Sequence, residues 1–217
     1  MAISGEMFNV QLSFRARWET RRATLSQREE SRLFLGEALS GDRRMLHEYK
    51  GIWPKLGARV YVAEGAQIVG DVEIGDHSSV WYNCVIRGDV HYVRIGQHTN
   101  IQDGSIGHVM RGTSPLILKD YVTVGHGVTM HGCTIESHCL IGMRAILLND
   151  VVVGEYSIIG AGALITERTV IPPRSLVLGL PARVERPLTE EEVASIDEYA
   201  RRYYEYKETY LAMKASR

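Results

Sequence analysis

Three of the eight histidines stand in settings that suit metal chemistry. His126 is flanked by glycines on both sides, His131 precedes a glycine, and His108 follows one. Three neutral imidazoles are a suitable ligand set for a catalytic Zn²⁺ whose fourth position is left for water. Imidazole also suits Fe²⁺ and Co²⁺, so these ligands leave the identity of the metal open. For each histidine taken alone, the alternative is an ordinary surface or turn residue.

The spacing of two of these histidines predicts a site shared between subunits. His126 and His131 are five residues apart, an odd number, so on an extended chain their side chains point to opposite faces. Five residues of strand also span about 16 Å, whereas a Zn–N bond is about 2.0–2.1 Å long. We therefore expect each histidine to face a different neighbouring subunit. A closed threefold ring repeats one interface three times, so we predict a homotrimer with metals at its interfaces.

A six-residue repeat predicts the elements that must position these side chains. An aliphatic residue recurs at every sixth position, at Ile135, Ile141, Leu147, Val153, Ile159, Ile165, Ile171 and Val177. Small residues recur four positions later, and an earlier block beginning at Val62 has the same period. This period is typical of strand-and-turn units stacked into a parallel β-helix. We predict an all-β triangular prism over residues 49–186; a sandwich of short strands is the alternative.

The two ends of the chain lack this repeat. Residues 187–217 are predicted to form a helix packed on the prism, because Thr189 and Glu192 form a capping box and apolar residues then recur at helical spacing. Residues 1–48 are rich in arginine, but interleaved acids distinguish them from a transit peptide. We predict that they are a dispensable extension, so that deleting residues 1–44 preserves fold and activity.

Composition excludes several classes of function. The 25 basic and 26 acidic residues give a net charge of -1, which offers no whole-chain case for nucleic acid or a membrane as partner. No apolar run approaches the roughly 20 residues of a membrane-spanning helix. The three cysteines, Cys84, Cys133 and Cys139, are an odd number without a CxxC motif, which argues against a disulfide scaffold and a structural zinc finger. We expect a cytoplasmic protein in which Cys133 and Cys139 are buried filler.

Several motifs together resemble the gamma-class carbonic anhydrase family. The segments that carry the resemblance are Ile86-Arg87-Gly88-Asp89, Thr99-Asn100-Ile101-Gln102-Asp103-Gly104, Gly125-His126-Gly127, His131-Gly132-Cys133-Thr134 and Gly179-Leu180-Pro181-Ala182. The likeness runs from about Tyr49 to the C-terminal helix and leaves the first 48 residues uncovered. It implies a left-handed parallel β-helix that forms a homotrimer and carries a C-terminal α-helix. The implied activity is a lyase reaction, the reversible hydration of CO2 to bicarbonate by hydroxide generated on the metal.

The resemblance also implies roles for individual residues. His108 and His131 of one subunit and His126 of its neighbour match the metal ligands of the family. Arg87 and Asp89 match an Arg–Asp pair that the family has at the subunit contact. Gln102 matches the residue that orients hydroxide in the family. Asn100 and Asp103 match the partners of that hydroxide-orienting residue. For Arg87 and Asp89, a structural salt bridge is favoured over a direct catalytic role. For Gln102 and Asn100, a polar ladder along the β-helix is the alternative.

Departures from the family pattern predict weak activity. Strongly active members carry acidic proton-shuttle residues, but Val90 follows Asp89 and the loop 109–114 contains no carboxylate. Rapid turnover needs such a group to export the proton, and His91 is a conceivable substitute. Gly107 also stands where the repeat would have an aliphatic residue, and it is expected to loosen the backbone beside His108.

Two other functions fit a hexapeptide-repeat protein. One is an acyltransferase that uses a histidine base near a subunit interface. The other is a catalytically silent structural trimer. About one zinc ion per subunit would favour the metalloenzyme over the acyltransferase, and CO2 hydration would distinguish the enzyme from the silent scaffold.

Overall fold

The computed structural model describes residues 45–215, which form a parallel β-helix of about seven turns followed by a helix. Strands of the later turns pair with strands 18 residues further along the chain, as in the pairs Leu140 with Ile158 and Ile146 with Leu164. Three six-residue units therefore make one turn, and the predicted fold class is confirmed.

The strands are short and the helix is long. The first ten strands are β1 (Leu46–His47), β2 (Lys55–Leu56), β3 (Tyr61–Val62), β4 (Gln67–Ile74), β5 (Ser79–Val80), β6 (Val85–Ile95), β7 (Asn100–Ile101), β8 (Ile106–His108), β9 (Leu116–Leu118) and β10 (Thr123–Val124). The next ten are β11 (Thr129–His131), β12 (Thr134–Ile135), β13 (Leu140–Ile141), β14 (Ile146–Leu147), β15 (Val152–Val153), β16 (Ile158–Ile159), β17 (Leu164–Ile165), β18 (Val170–Ile171), β19 (Ser175–Gly179) and β20 (Ala182–Pro187). The helix α1 spans Glu190–Ala215.

The strands form three faces. Within residues 45–215, the first face is an eight-stranded sheet in the order β20-β19-β16-β13-β10-β7-β5-β3. The second face contains β8, β11, β14 and β17, and the third contains β9, β12, β15 and β18. The long strand β6 joins these two faces, because its first half pairs with β8 and its second half with β9. Each turn of the chain thus visits all three faces of a prism.

Aliphatic side chains fill the interior of the prism. The repeat positions Ile135, Ile141, Leu147, Val153 and Ile159 are completely buried. Each such side chain contributes about 1.5–3 kcal/mol of hydrophobic free energy. The predicted burial of Cys133 and Cys139 is confirmed, and Cys84 is a buried free thiol as well. Burial raises the pKa of Cys133 and of Cys139 to about 12, so both thiols are unreactive at neutral pH.

Rings stack along the corner between the third and first faces. This ring ladder consists of His77, His98, Tyr121, His138 and Tyr156, with 4.6–5.0 Å between the centroids of successive rings. All five residues have φ between +51° and +60°. That left-handed conformation costs about 1–2 kcal/mol for a residue with a Cβ, and the stacking of the rings offsets part of this cost.

The helix α1 packs on the first face of the prism. Its N-terminus has the predicted capping box, because Thr189 N donates to Glu192 Oε2 at 2.9 Å and Glu192 N donates to Thr189 Oγ1 at 3.2 Å. Further along, the rings of Tyr203 and Tyr210 lie against the ring of Trp81, with centroids 5.4 and 5.3 Å away. These contacts fasten the helix over the face that carries β5, β7 and β10.

The first turn of the β-helix begins earlier than the predicted boundary at Tyr49. Leu46 in β1 is buried and pairs with Ile68 in β4, so residues 45–48 belong to the prism. The remainder of the predicted extension, residues 1–44, lies outside the described residues. Between residues 45 and 215, no helix combines the length and the apolar character needed to cross a membrane.

Candidate metal centre

Two of the three candidate ligands meet at the corner between the second and third faces. His108 ends β8 and His131 ends β11, and the two residues are register partners on adjacent turns. His108 Nδ1 lies 3.1 Å from His131 Nε2. Two nitrogens bound to one tetrahedral Zn²⁺ at its usual bond length are about 3.3 Å apart. The two imidazoles therefore already hold nearly the separation that a shared cation requires.

A carboxylate and an arginine support His108. Asp89 Oδ1 lies 3.0 Å from His108 Nε2, and Asp89 also forms a salt bridge with Arg87, two residues earlier on β6. Burial alone would raise the pKa of Asp89, but its hydrogen bonds to His108 and Arg87 bring that pKa below the usual value. The pKa of His108 is lowered chiefly by its burial. Asp89 is thus ionised and His108 neutral at pH 7, as a ligand to a metal must be.

An amide supports His131 in the same way. His131 Nδ1 lies 2.7 Å from Asn149 Oδ1, and Asn149 Nδ2 donates to Glu167 Oε1 at 3.0 Å. Neither Asn149 nor Glu167 is a sequence-predicted site residue. The signal that could have identified them is the 18-residue turn, since each lies 18 positions beyond the preceding member of this column. Partners of this kind fix the tautomer and orientation of a ligating histidine.

The third candidate ligand lies at a different corner. His126 is in the turn between β10 and β11, where the first face meets the second, and β11 separates it from His131. His126 Nδ1 lies 2.8 Å from Asp103 Oδ2, and both side chains are half-exposed. Among residues 45–215, no three side chains of His, Cys, Asp or Glu converge into a metal-binding group. One chain therefore brings together His108 and His131 but not His126.

A chain of buried polar side chains crosses the first face towards the His126 turn. Gln102 Nε2 donates to Asn100 Oδ1 at 3.1 Å, and Asn100 Nδ2 donates to Thr123 Oγ1 at 2.9 Å. All three side chains are buried. Because Asn100 occupies the amide nitrogen of Gln102, the amide oxygen Oε1 is the atom available to other partners. Thr123, on β10, belongs to this chain of polar side chains, and the sequence motifs did not identify it.

The space beside Asp89 and His108 is shaped by neighbouring turns. A cavity of about 260 Å³ is lined by Asp89 and His91 together with residues of the first turn such as Tyr49. Next to His108, a Cβ at Gly107 would lie 2.8 Å from Leu116 Cδ2 and 3.1 Å from Ile86 Cδ1. The side chain of Leu116 thus occupies the room that an aliphatic residue at position 107 would need, which accounts for the glycine there.

The donor set fits a transition metal such as zinc. Two imidazole nitrogens face each other, their opposite nitrogens are engaged by Asp89 and Asn149, and a third imidazole is presented at another corner beside Asp103. Neutral nitrogen ligands with carboxylate or amide partners are the usual surroundings of Zn²⁺ in proteins. Such a set can generate hydroxide from water or, without a metal, can present His126 as a base.

Known proteins resemble this chain in sequence. The family model for bacterial transferase hexapeptide repeats matches residues 54–88 and 132–167. A probable carbonic anhydrase of Methanocaldococcus jannaschii is 54% identical over 159 residues, 73% of this chain and 99% of that protein. Gamma carbonic anhydrase 1 from mitochondria of Arabidopsis thaliana is 40% identical over 196 residues, 88% of this chain and 71% of that protein.

Solved structures resemble the fold. A Bacillus cereus protein described as an acetyltransferase superposes with a TM-score of 0.76 at 40% identity, covering 80% of this chain and 98% of that one. The Bacillus cereus N-acyltransferase AntD superposes with a TM-score of 0.55 at 17% identity, covering 67% of this chain and 89% of that one. The latter likeness is one of fold alone.

Proposed function

Because this chain belongs to the gamma-class carbonic anhydrase family, we propose that it catalyses the reversible hydration of CO2 to bicarbonate at metal sites shared between the subunits of a homotrimer. The observation that carries this proposal is the division of the ligands. His108 and His131 face each other at one corner, while His126 lies at another corner of the same chain. A threefold ring can bring these two corners of neighbouring chains together.

In this proposal His108 and His131 of one subunit and His126 of its neighbour hold Zn²⁺, for which Fe²⁺ or Co²⁺ could substitute. Such a metal, when bound, lowers the pKa of water from 15.7 to about 7 and so supplies hydroxide at neutral pH. The residues of the chain orient the ligands, through Asp89 on His108, Asn149 on His131 and, in the neighbour, Asp103 on His126.

Gln102 is proposed to orient the nucleophile. Its amide nitrogen is held by Asn100, so Oε1 can accept a hydrogen bond from the attacking hydroxyl group and direct the lone pair of that oxygen at CO2. Gln102 directly precedes Asp103, the partner of His126, so it belongs to the same half of the proposed site. The polar ladder, the alternative for these residues, is present in the fold and would serve this role by fixing the amide.

The Arg87–Asp89 pair is proposed to be structural rather than directly catalytic. Both hydrogen-bonding oxygens of Asp89 are in use, one by Arg87 and one by His108. A carboxylate in that position holds a ligand in place but is not free to carry protons away. His91 lines the same cavity as Asp89 and is the proposed carrier for the proton, a role that histidine often has in enzymes.

An acyltransferase is the second candidate. The observation in its favour is the His126–Asp103 pair, which is half-exposed and has the geometry of a general base with an orienting carboxylate. The superposition on a protein described as an acetyltransferase is in keeping with this idea. An acyltransferase mechanism leaves the facing nitrogens of His108 and His131 without a role, so we favour the metalloenzyme. A silent structural trimer would retain the metal and lack activity.

One experiment tests the proposal. Oligomer mass, metal content and CO2 hydration are measured on the same preparation for the wild type, for His126→Ala and for His138→Ala, which removes a turn histidine outside the proposed site. We expect a trimer with about one metal ion per subunit, loss of metal and hydration in His126→Ala, and retention of both in His138→Ala. A monomer with full metal occupancy would contradict the shared site. A metal-free trimer that transfers acyl groups would favour the second candidate.

For the location of the protein we propose the cytoplasm. All three cysteines are free and buried, so the fold uses no disulfide. This is the usual state of thiols in a reducing compartment. Fractionation of the native cells would test this, and a protein found outside the cytoplasm would contradict it.

A further inference from the structure

We propose that Asn149, held by Glu167, is a positioning residue that fixes the tautomer of His131 and thereby increases the metal affinity of the site; this inference rests on the proposed function. Asn149 follows β14 just as His131 ends β11, one turn earlier, so the two side chains lie in one column at the same corner. The column continues to Glu167, one turn further on.

The hydrogen bonds of this column have one consistent direction. A carboxylate only accepts, so Asn149 must turn its Nδ2 towards Glu167 and its Oδ1 towards His131. An amide oxygen also only accepts, so His131 Nδ1 carries the hydrogen. In a neutral imidazole the other nitrogen then has the free lone pair. That nitrogen, Nε2, is the one that faces His108.

The glycine at position 132 leaves room for the contact between Asn149 and His131. Gly132 follows His131 with φ at +57°, and a Cβ there would lie 2.7 Å from Asn149 Oδ1 and 2.8 Å from Ser114 Cβ. A side chain at position 132 would therefore displace the amide that holds His131. The glycine allows Asn149 to approach the imidazole at hydrogen-bond distance.

Without Asn149, His131 would lose the acceptor that selects one tautomer and one ring orientation. Part of the population would then present a protonated Nε2 to the site, and binding a cation would require a proton to move first. Loss of such a partner typically lowers metal affinity about 10–100-fold. Removal of Glu167 is expected to have a smaller effect, because the amide of Asn149 could still reach the correct orientation without it.

The test compares zinc dissociation constants of the full-length protein, obtained by competition with a chelator. Asn149→Leu has the same number and branching of side-chain heavy atoms as asparagine but no acceptor, and we expect its Kd to rise about 10–100-fold. Asn149→Asp keeps an acceptor for His131 Nδ1 and is expected to bind zinc within a few-fold of the wild type. Glu155→Leu, an exposed acid at a different corner, is the matched control for Glu167→Leu and is expected to change nothing.

Nitrogen-15 NMR of the imidazoles in the metal-free protein gives a second measurement. We expect the wild type to carry its hydrogen on His131 Nδ1, and Asn149→Leu to show a mixture of tautomers. Wild-type zinc affinity in Asn149→Leu, or equal losses in Asn149→Leu and Asn149→Asp, would overturn the proposal. If Asn149→Leu does not fold, Glu167→Leu decides: weaker zinc binding than in Glu155→Leu supports the proposal, and equal binding overturns it.

Failure of the proposed function gives a different result from failure of this inference. A wild type that binds no zinc refutes the proposed function, while the NMR measurement still reports whether Asn149 selects the tautomer of His131. A wild type that binds zinc and whose affinity does not depend on Asn149 refutes only the inference.

Discussion

Two corners of the prism carry histidines on successive turns, and the two corners use them differently. In the ring ladder, His98 lies flat against Tyr121, with 1° between the ring planes. At the candidate metal centre the rings of His108 and His131 are inclined by 63° and meet through their nitrogens. Rings that meet face to face stabilise each other by packing, whereas rings that meet nitrogen to nitrogen present lone pairs to a common point.

The difference follows from the place of each histidine in its turn. Histidines of the ladder occupy the left-handed residue itself, with φ of +51° at His98 and +55° at His138. His131 instead ends a strand, and the left-handed position after it is taken by Gly132. A shift of one residue along the turn therefore changes a structural histidine into a candidate ligand. Counting histidines in the sequence cannot distinguish these two uses.

The largest expected effect sharpens this contrast. Replacing His131 by alanine removes one of two facing nitrogens, so we expect zinc to be lost and CO2 hydration to fall at least about 100-fold, which corresponds to about 2.7 kcal/mol of transition-state stabilisation. Zinc content and stopped-flow hydration of the purified protein check this. The comparison variant is His98→Tyr, because tyrosine occupies the equivalent ladder positions 121 and 156. It should keep its zinc; a loss of zinc equal to that of His131→Ala would break the distinction between the two corners.

The fold could be predicted from the sequence more fully than the site. A period of six residues is imposed by every turn of the prism, so it is visible along most of the prism. The pairing of turns is less regular: His131 lies 23 residues after His108 but 18 before Asn149. Loops of different length cause this irregularity, so the sequence alone does not reveal which side chains share a corner. Thr123, which lies 23 residues after Asn100, was missed for this reason. Asn149 and Glu167 lie at the regular spacing of 18 residues and were missed because no motif in the sequence singled them out.

A smaller effect is expected at the buried polar chain on the first face. Thr123→Val keeps the shape of the side chain but removes the acceptor for Asn100 Nδ2. An unsatisfied buried donor costs about 1–3 kcal/mol of stability, and the amide of Gln102 would lose its fixed orientation. We expect kcat to fall about tenfold at unchanged zinc content, whereas His131→Ala acts through the metal.

Thr123→Ser is the control for that change, since it restores the hydroxyl group. Urea unfolding, zinc content and hydration rates measured on both variants separate the two roles. A valine variant that loses stability but keeps kcat would show that the chain of polar side chains has only a structural role. A serine variant as slow as the valine variant would show that the hydroxyl group alone does not maintain the rate, and would contradict the role given to this hydrogen bond.

The smallest expected effect concerns pH and the ring ladder. Burial lowers the pKa of His98, and the nearby His77 and Lys207 lower it further, against the opposing influence of Asp120 and Asp76. The rings packed directly on His98 are those of His77, Tyr121 and Tyr204. His98 is therefore held neutral between the β-helix and α1.

This lowered pKa makes the stability of the fold depend on pH. The unfolded chain takes up a proton on His98 near its ordinary pKa of about 6.5, before the folded protein does, so stability falls as the pH drops through that value. The loss continues until the pH reaches the lower folded-state pKa. The tyrosine of His98→Tyr does not titrate in this range, so the Tm of this variant should fall less than that of the wild type between about pH 7.5 and about pH 5.5. Equal falls in the two proteins would mean that His98 is not the neutral, partly buried group that its position in the ladder indicates, and that the stack tolerates a charge as readily as the solvent does.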